Sequence, residues 1–192
     1  MTLAKNLVST DTDAIYQRLM LASNQTGNDH LLASIISSWA TGSGCLPRHL
    51  GLEESEYQEL FYTHFPDYGA ILTARNDLEM VDDRFDEREE VTKLLLLHRA
   101  DNSETEQWVA KIITSACQGQ DHLWQDLGVW TRQDLSDLLA INFPGLAEKN
   151  IHDMKWKKFI YKQLCISEGI YTCRAPSCEV CVDYQVCFGP EE

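Results

Sequence analysis

The chain has 192 residues, 44% of them hydrophobic, which suits one globular domain and argues against global disorder. Its 16 lysines and arginines stand against 30 aspartates and glutamates, a formal net charge of -14. A surface this acidic repels phosphate backbones and anionic lipid unless its few bases gather on one face, so general nucleic-acid and anionic-membrane binding are disfavoured, and no apolar run approaches the ~20 residues of a membrane span. The opening MTLAKNLVSTDTD contains no apolar signal core, so a cytoplasmic location is expected.

Taken in chain order, apolar residues recur at helical spacing over 15–21, 31–39 and 57–65. Segment 77–90 carries eight acids against Arg84 and Arg88, a net of -6, and reads as a solvated helix face or mobile loop. A docking surface for a basic partner is the alternative. Ser103 and Glu106 have the spacing of a capping box, after which Val109, Ile112, Ile113 and Ala116 keep a helical period. Thr131 can cap a helix through Leu135, Leu138 and Leu139 toward Ile141, stopped by Pro144 and Gly145. No sustained period-two alternation and no Asn-Gly hairpin signal is present. The expected fold is all-α: a compact helical bundle with a C-terminal cysteine-rich cluster-binding loop. Residues 1–192 form a single helical domain, within which 154–190 is a basic helix plus a cysteine-rich metal-cluster segment.

Charge changes sign near the end. Residues 151–175 hold five bases and two acids, a net of +3. On a helix over 154–164, Trp156, Ile160 and Leu164 share one face, which can pack on the bundle. Lys155, Lys158, Lys162 and Cys165 fall nearly opposite, where the lysines meet solvent, an oxyanion or a partner surface.

Of seven cysteines, Cys45 and Cys117 stand alone, Cys45 in a glycine-rich loop. Cys173, Cys178, Cys181 and Cys187 form C-x4-C-x2-C-x5-C, and Cys165 precedes them. Two thiols two residues apart can reach one metal centre from a tight turn, and Pro176 and Ser177 favour a bend there. Structural zinc commonly uses two knuckles set farther apart, whereas four thiols in one short run fit iron–sulfur spacing. A redox pair at Cys178 and Cys181 lacks a βαβ context. Helical DNA glycosylases can carry a similar C-terminal cluster. However, Phe143, Pro144, Gly145 and Leu146 lack the second glycine of a helix-hairpin-helix turn, and the net charge suits duplex DNA poorly. Cys165 is either a space-filling thiol or a fifth, exchangeable ligand.

MKWKKFIYKQLC over 154–165, the cysteine run and the closing Phe188, Gly189 and Pro190 resemble the NifQ family. LLLHRA over 95–100 and DHLWQDLG over 121–128 resemble it as well, and the resemblance is specific from about residue 90 onward and weak over the first 75. It implies a carrier of an iron–sulfur cluster containing molybdenum (Mo-Fe-S), which donates molybdenum for the iron–molybdenum cofactor of nitrogenase. The implied partners are the assembly scaffold NifEN, the iron protein NifH and molybdate or another molybdenum source. His98 and His122 sit in the two upstream blocks, as core or capping residues or as metal contacts. Trp124 and Trp130 read as core. No nucleophile motif and no phosphate-cradling glycine loop is recognisable, so a turnover enzyme is not expected. An electron-transfer iron–sulfur protein and a zinc-stabilised interaction module are the alternatives from other classes.

Overall fold

The computed structural model describes residues 11–68, 72 and 85–167. The cysteine run from Cys173 to Cys187 and the acidic stretch 77–84 lie outside the described residues. The elements are α1 (Thr12–Leu21), α2 (Asp29–Ala40), a 3-10 turn (Arg48–Gly51), α3 (Glu54–His64), α4 (Phe85–Leu97), α5 (Glu104–Ala116), α6 (Leu123–Leu127), α7 (Arg132–Asn142), α8 (Pro144–Ala147) and α9 (Trp156–Ser167). No strand occurs among the described residues, as the missing period-two pattern requires.

Helix starts follow their caps. Asp11 accepts from the Asp13 amide at 3.1 Å to open α1. Thr131 and Asp134 exchange hydrogen bonds of 3.1 and 2.8 Å to open α7. At α5 the Ser103 hydroxyl accepts from the Glu106 amide, while the Glu106 carboxylate accepts from the amides of Ser103 and Asp101 at 2.7 and 2.8 Å. Glu106 is buried, and desolvation pushes its carboxyl upward; the backbone amides of Asp101, Ser103 and Ala100 outweigh that and hold it below the ordinary value.

As expected, α7 ends at Asn142, just before Pro144, which opens the short α8 rather than a loop. There its missing N–H costs nothing. The acidic segment continues into the first half of α4, which turns Val91, Leu94 and Leu95 inward. Trp130 departs from expectation: it is 43% exposed and packs on Tyr16 at the surface with ring centroids 4.6 Å apart. Trp124 packs against the core while staying partly exposed.

The core is one connected cluster centred on α2, of whose 12 residues 11 are buried. Ser34 and Ser37 are among them, and their hydroxyls donate to carbonyls one turn back, those of Leu31 and Ser34. Helix α1 packs along α2, α4 against α5, and α9 against α4. Buried polar links fasten the ends. Asp29 at the start of α2 bonds His64 Nδ1 at 2.7 Å, and His64 Nε2 meets the Thr105 hydroxyl at 2.9 Å. The amides of Asn28 and Asn142 exchange hydrogen bonds of 3.1 and 2.7 Å, tying α2 to the end of α7.

Candidate functional site

Helix α9 leads into the cysteine segment, so whatever fixes α9 fixes the base from which that segment departs. Trp156, Phe159, Ile160 and Leu164 are buried, as the apolar face requires. Each contributes roughly 1.5–3 kcal/mol when fully removed from water. Polar contacts set the orientation: the Trp156 indole donates to Ser136 of α7 at 2.9 Å, and the Tyr161 hydroxyl donates to Glu87 of α4.

Lys157 provides the strongest fastening. Its ammonium donates to the carbonyls of Gly119 and Asp121 at 3.0 and 2.9 Å and to Asp126 Oδ2 at 2.5 Å. Asp126 on α6 is buried. Three glycines lie in close approach on and around Asp126, one of them against its carboxylate. A Cβ on Gly119 would lie 2.2 Å from Asp126 Oδ1, one on Gly44 would lie 2.8 Å from the Asp126 carbonyl, and one on Gly128 would lie 2.9 Å from Ser38 Cβ. Gly44 and Gly128 also hold positive φ, which a side chain would strain. Sequence reasoning passed over both Lys157 and Asp126. The signal for Lys157 was its place one turn before Ile160 and Tyr161, a cation beside an apolar stripe that must find a partner.

Cys45 and Cys117 are 72 positions apart in sequence but near each other in space: Cys117 feels Cys45, and both feel the charge of Asp126. The Cys45 thiol faces the Ala116 carbonyl at 3.7 Å, and its amide donates to the Asp126 carbonyl at 2.9 Å. Burial first, then the Asp126 carboxylate, pushes the Cys45 thiol up to about 12. Burial pushes Cys117 up to about 12 as well, against the lowering influence of Lys157. Neither is a poised nucleophile or a ready thiolate ligand.

A cleft of about 350 Å³ opens between residues 120–124 and the start of α9. Leu123, Leu135 and Trp156 form its apolar floor, and His122, Lys155 and Lys158 stand around it. The lysine row is thus divided. Lys155 and Lys158 border the cleft, whereas Lys162 lies one turn on, partly buried, with its ammonium 3.8 Å from Met154 Sδ. Of the three, only Lys158 is exposed, so the row is less open to solvent than expected.

The histidines part company. His122 caps α6, its amide donating to Gln125 Oε1 at 3.2 Å, and it borders the cleft. His98 is not among the cleft residues. Its Nδ1 bonds the Leu94 carbonyl at 2.9 Å and its Nε2 bonds the Lys149 ammonium at 2.7 Å, so the tautomer with Nδ1–H satisfies both. Cys165 lies on α9 at intermediate exposure. Among the described residues no group of three or more His, Cys, Asp or Glu side chains is arranged to hold a metal ion. No helix among them is long and apolar enough to cross a membrane.

A family model for NifQ matches residues 31–189, a span that includes all but the first two residues of α2, everything described from there through α9, and all four cysteines of the run. The chain belongs to the NifQ family. It is 46% identical over 174 residues to protein NifQ of Azotobacter vinelandii, covering 85% of this chain and 89% of that protein. Identity to the NifQ homolog of Sinorhizobium fredii (strain NBRC 101917 / NGR234) is 36%, over 84% of this chain and 70% of the relative. Identity to protein NifQ of Rhodobacter capsulatus is 33%, over 84% and 87% respectively. The likeness therefore begins far upstream of the region the motifs suggested, at the first turn of α2. No solved structure matches. Membership of the NifQ family gives the chain a role in nitrogen fixation.

Proposed function

We propose that this NifQ-family chain carries an iron–molybdenum–sulfur cluster and donates molybdenum for assembly of the nitrogenase iron–molybdenum cofactor, with NifEN and NifH as partners. The observation that carries the reading is the C-x4-C-x2-C-x5-C run of Cys173, Cys178, Cys181 and Cys187, which lies wholly within the span matched to the family. Four thiolates are a soft donor set suited to iron–sulfur chemistry, and hard cations would call for oxygen ligands. Cys165 near the end of α9 and His122 at the start of α6 complete the set of side chains proposed for a molybdenum contact, whereas both ring nitrogens of His98 are already bonded.

The cluster is cargo in this reading, so the chain needs a firm base and a ligand segment that a partner can approach. The burial of α9 and the Lys157–Asp126 fastening supply the base. The test is anaerobic purification after expression with molybdate, followed by analysis for iron, molybdenum, sulfide and zinc. Iron, sulfide and molybdenum together are expected, with single Ala variants at the four cysteines losing iron and keeping helicity. Iron and sulfide without molybdenum would favour an electron-transfer protein. Zinc alone, or full iron loading in two or more of the four variants, would overturn the assignment.

A further inference from the structure

Two thiols outside the cysteine run are brought together by the fold. Cys45 lies in the loop after α2, and Cys117 caps the end of α5. The Cys45 sulfur stands 3.7 Å from the Ala116 carbonyl oxygen. That oxygen is one peptide unit from Cys117 Cα, a further ~2.8 Å at standard bond lengths. Cys45 Sγ therefore lies within about 6.5 Å of Cys117 Cα, where a disulfide calls for roughly 4–5 Å. A movement of about 2 Å closes the difference.

Contacts to Asp126 hold this neighbourhood from both sides. The Cys45 amide donates to the Asp126 carbonyl at 2.9 Å, and the Cys45 thiol hydrogen-bonds the Asp126 carboxylate. Gly119, two residues past Cys117, is so near that carboxylate that a Cβ on it would lie 2.2 Å from Oδ1. The loop side has the freedom to adjust: Gly42 and Gly44 stand just before Cys45, and glycine tolerates a wide range of backbone angles. Exposure orders the two sulfurs. Cys45 is partly open to solvent and Cys117 is buried, so a small oxidant meets Cys45 first.

We propose that Cys45 and Cys117 form a redox modification site, an intramolecular disulfide made by a peroxide. In the first step the Cys45 sulfur attacks one peroxide oxygen and the O–O bond breaks. Cys45 becomes a sulfenic acid, and the other oxygen leaves with the thiol proton as water. In the second step the Cys117 sulfur attacks the Cys45 sulfur and the S–O bond breaks. The S–S bond forms, and hydroxide leaves with the Cys117 proton as a second water. The two thiols lose two electrons and two protons, and one peroxide is reduced to two waters. Burial keeps both thiols protonated, each pushed up to about 12, so the pair is slow and answers sustained oxidant instead of ordinary thiol exchange. Closing the bond withdraws a donor from Asp126, the residue that holds Lys157 and through it α9. The inference does not rest on the cluster reading, because neither sulfur belongs to the C-x4-C-x2-C-x5-C run.

The test exposes the anaerobically purified, reduced full-length chain to hydrogen peroxide with a chelator present. Remaining thiols are then alkylated, and the chain is digested with trypsin without reductant for mass spectrometry. Cleavage after Arg18, Arg48, Lys111 and Arg132 places Cys45 and Cys117 on separate peptides, 19–48 and 112–132, each with one cysteine. The expected result is a joined pair of these peptides, two hydrogens lighter than their sum and released by dithiothreitol. It should be at least ~10-fold more abundant than in the chain oxidised in concentrated urea, where a long loop must close by chance. Cys45→Ser and Cys117→Ser should each abolish it. The urea comparison uses the parent chain, so it decides the matter even where a variant fails to fold. Three results overturn the proposal: a joined pair no more abundant than in urea, Cys45 stopping at sulfinic acid while Cys117 stays a thiol, or Cys45 joined instead to Cys165 or to a cysteine of the run.

Discussion

Lys157 offers a sharp test of how α9 is held. Its side chain is 21% exposed and that of Asp126 is 3% exposed. Lys157→Met keeps the aliphatic stem and removes the charged head. It strands the Asp126 carboxylate in a nearly dry position and leaves the Gly119 and Asp121 carbonyls without their donor. Breaking a buried pair from one side costs ~3–5 kcal/mol, whereas an exposed pair is worth ~0–1 kcal/mol. Because Lys157 borders the cleft, water reaches part of what is left, and the expected loss is at the low end, about 3 kcal/mol. At ~2–4 °C per kcal/mol for a chain of this size, the unfolding midpoint falls by roughly 6–12 °C. Asp126→Asn keeps an acceptor and should lose less. Thermal and urea unfolding followed by far-ultraviolet circular dichroism, on both single variants and the double variant, gives the coupling, expected at ~1–3 kcal/mol. Gly119→Ala, whose Cβ would meet Asp126 Oδ1 at 2.2 Å, should reproduce most of the Lys157→Met loss. A loss below ~1 kcal/mol for Lys157→Met would refute the reasoning, because it would place the pair among exposed surface bridges.

Other consequences can be measured on the same chain. Ser103→Ala removes the acceptor for the Glu106 amide and should cost ~1 kcal/mol in urea unfolding; no change would mean that the cap carries nothing. Glu106 has its carboxyl held below the ordinary value, so its contribution is present above the ordinary carboxylate range and drains away as pH falls through the folded-state value. Glu106→Gln should accordingly flatten the acid limb of a stability-versus-pH curve, and an unchanged limb would count against that contribution. Cys117 is raised from 9.0 to about 12, so the unfolded chain ionises first and stability declines as pH climbs across that interval. Cys117→Ala should shallow this alkaline decline, and an identical slope in the variant would remove Cys117 from its causes.

The longer helices were legible because burial imposes a period on them. α2, α5, α7 and α9 fall where apolar spacing and caps placed them. α4 was obscured because five of its first six residues other than Phe85 are charged, and the inward turn of Val91, Leu94 and Leu95 comes only afterwards. α6 and α8 have 5 and 4 residues, too few for a period to declare itself. Trp130 misled because aromatic size suggests burial, while its neighbour Tyr16 offers a packing surface at the rim. At the cleft, Lys155, Lys158 and His122 were each singled out in the sequence, but nothing in their spacing joined them. Their meeting depends on Lys157 reaching across 31 residues to Asp126, a contact that a one-dimensional pattern does not encode.

The near-total enclosure of α2 has a practical meaning for dissecting the molecule. A helix with 11 of 12 residues buried has no outer side on which substitutions can accumulate. It also cannot be left out: without 29–40, α1, which packs along it, would turn the apolar face of Ile15 and Leu19 toward water, and aggregation would follow. Short pieces carrying only the basic helix and the cysteines would therefore report on a different object. Amide hydrogen exchange should find the slowest protons of the chain on α2, opening only when everything else does.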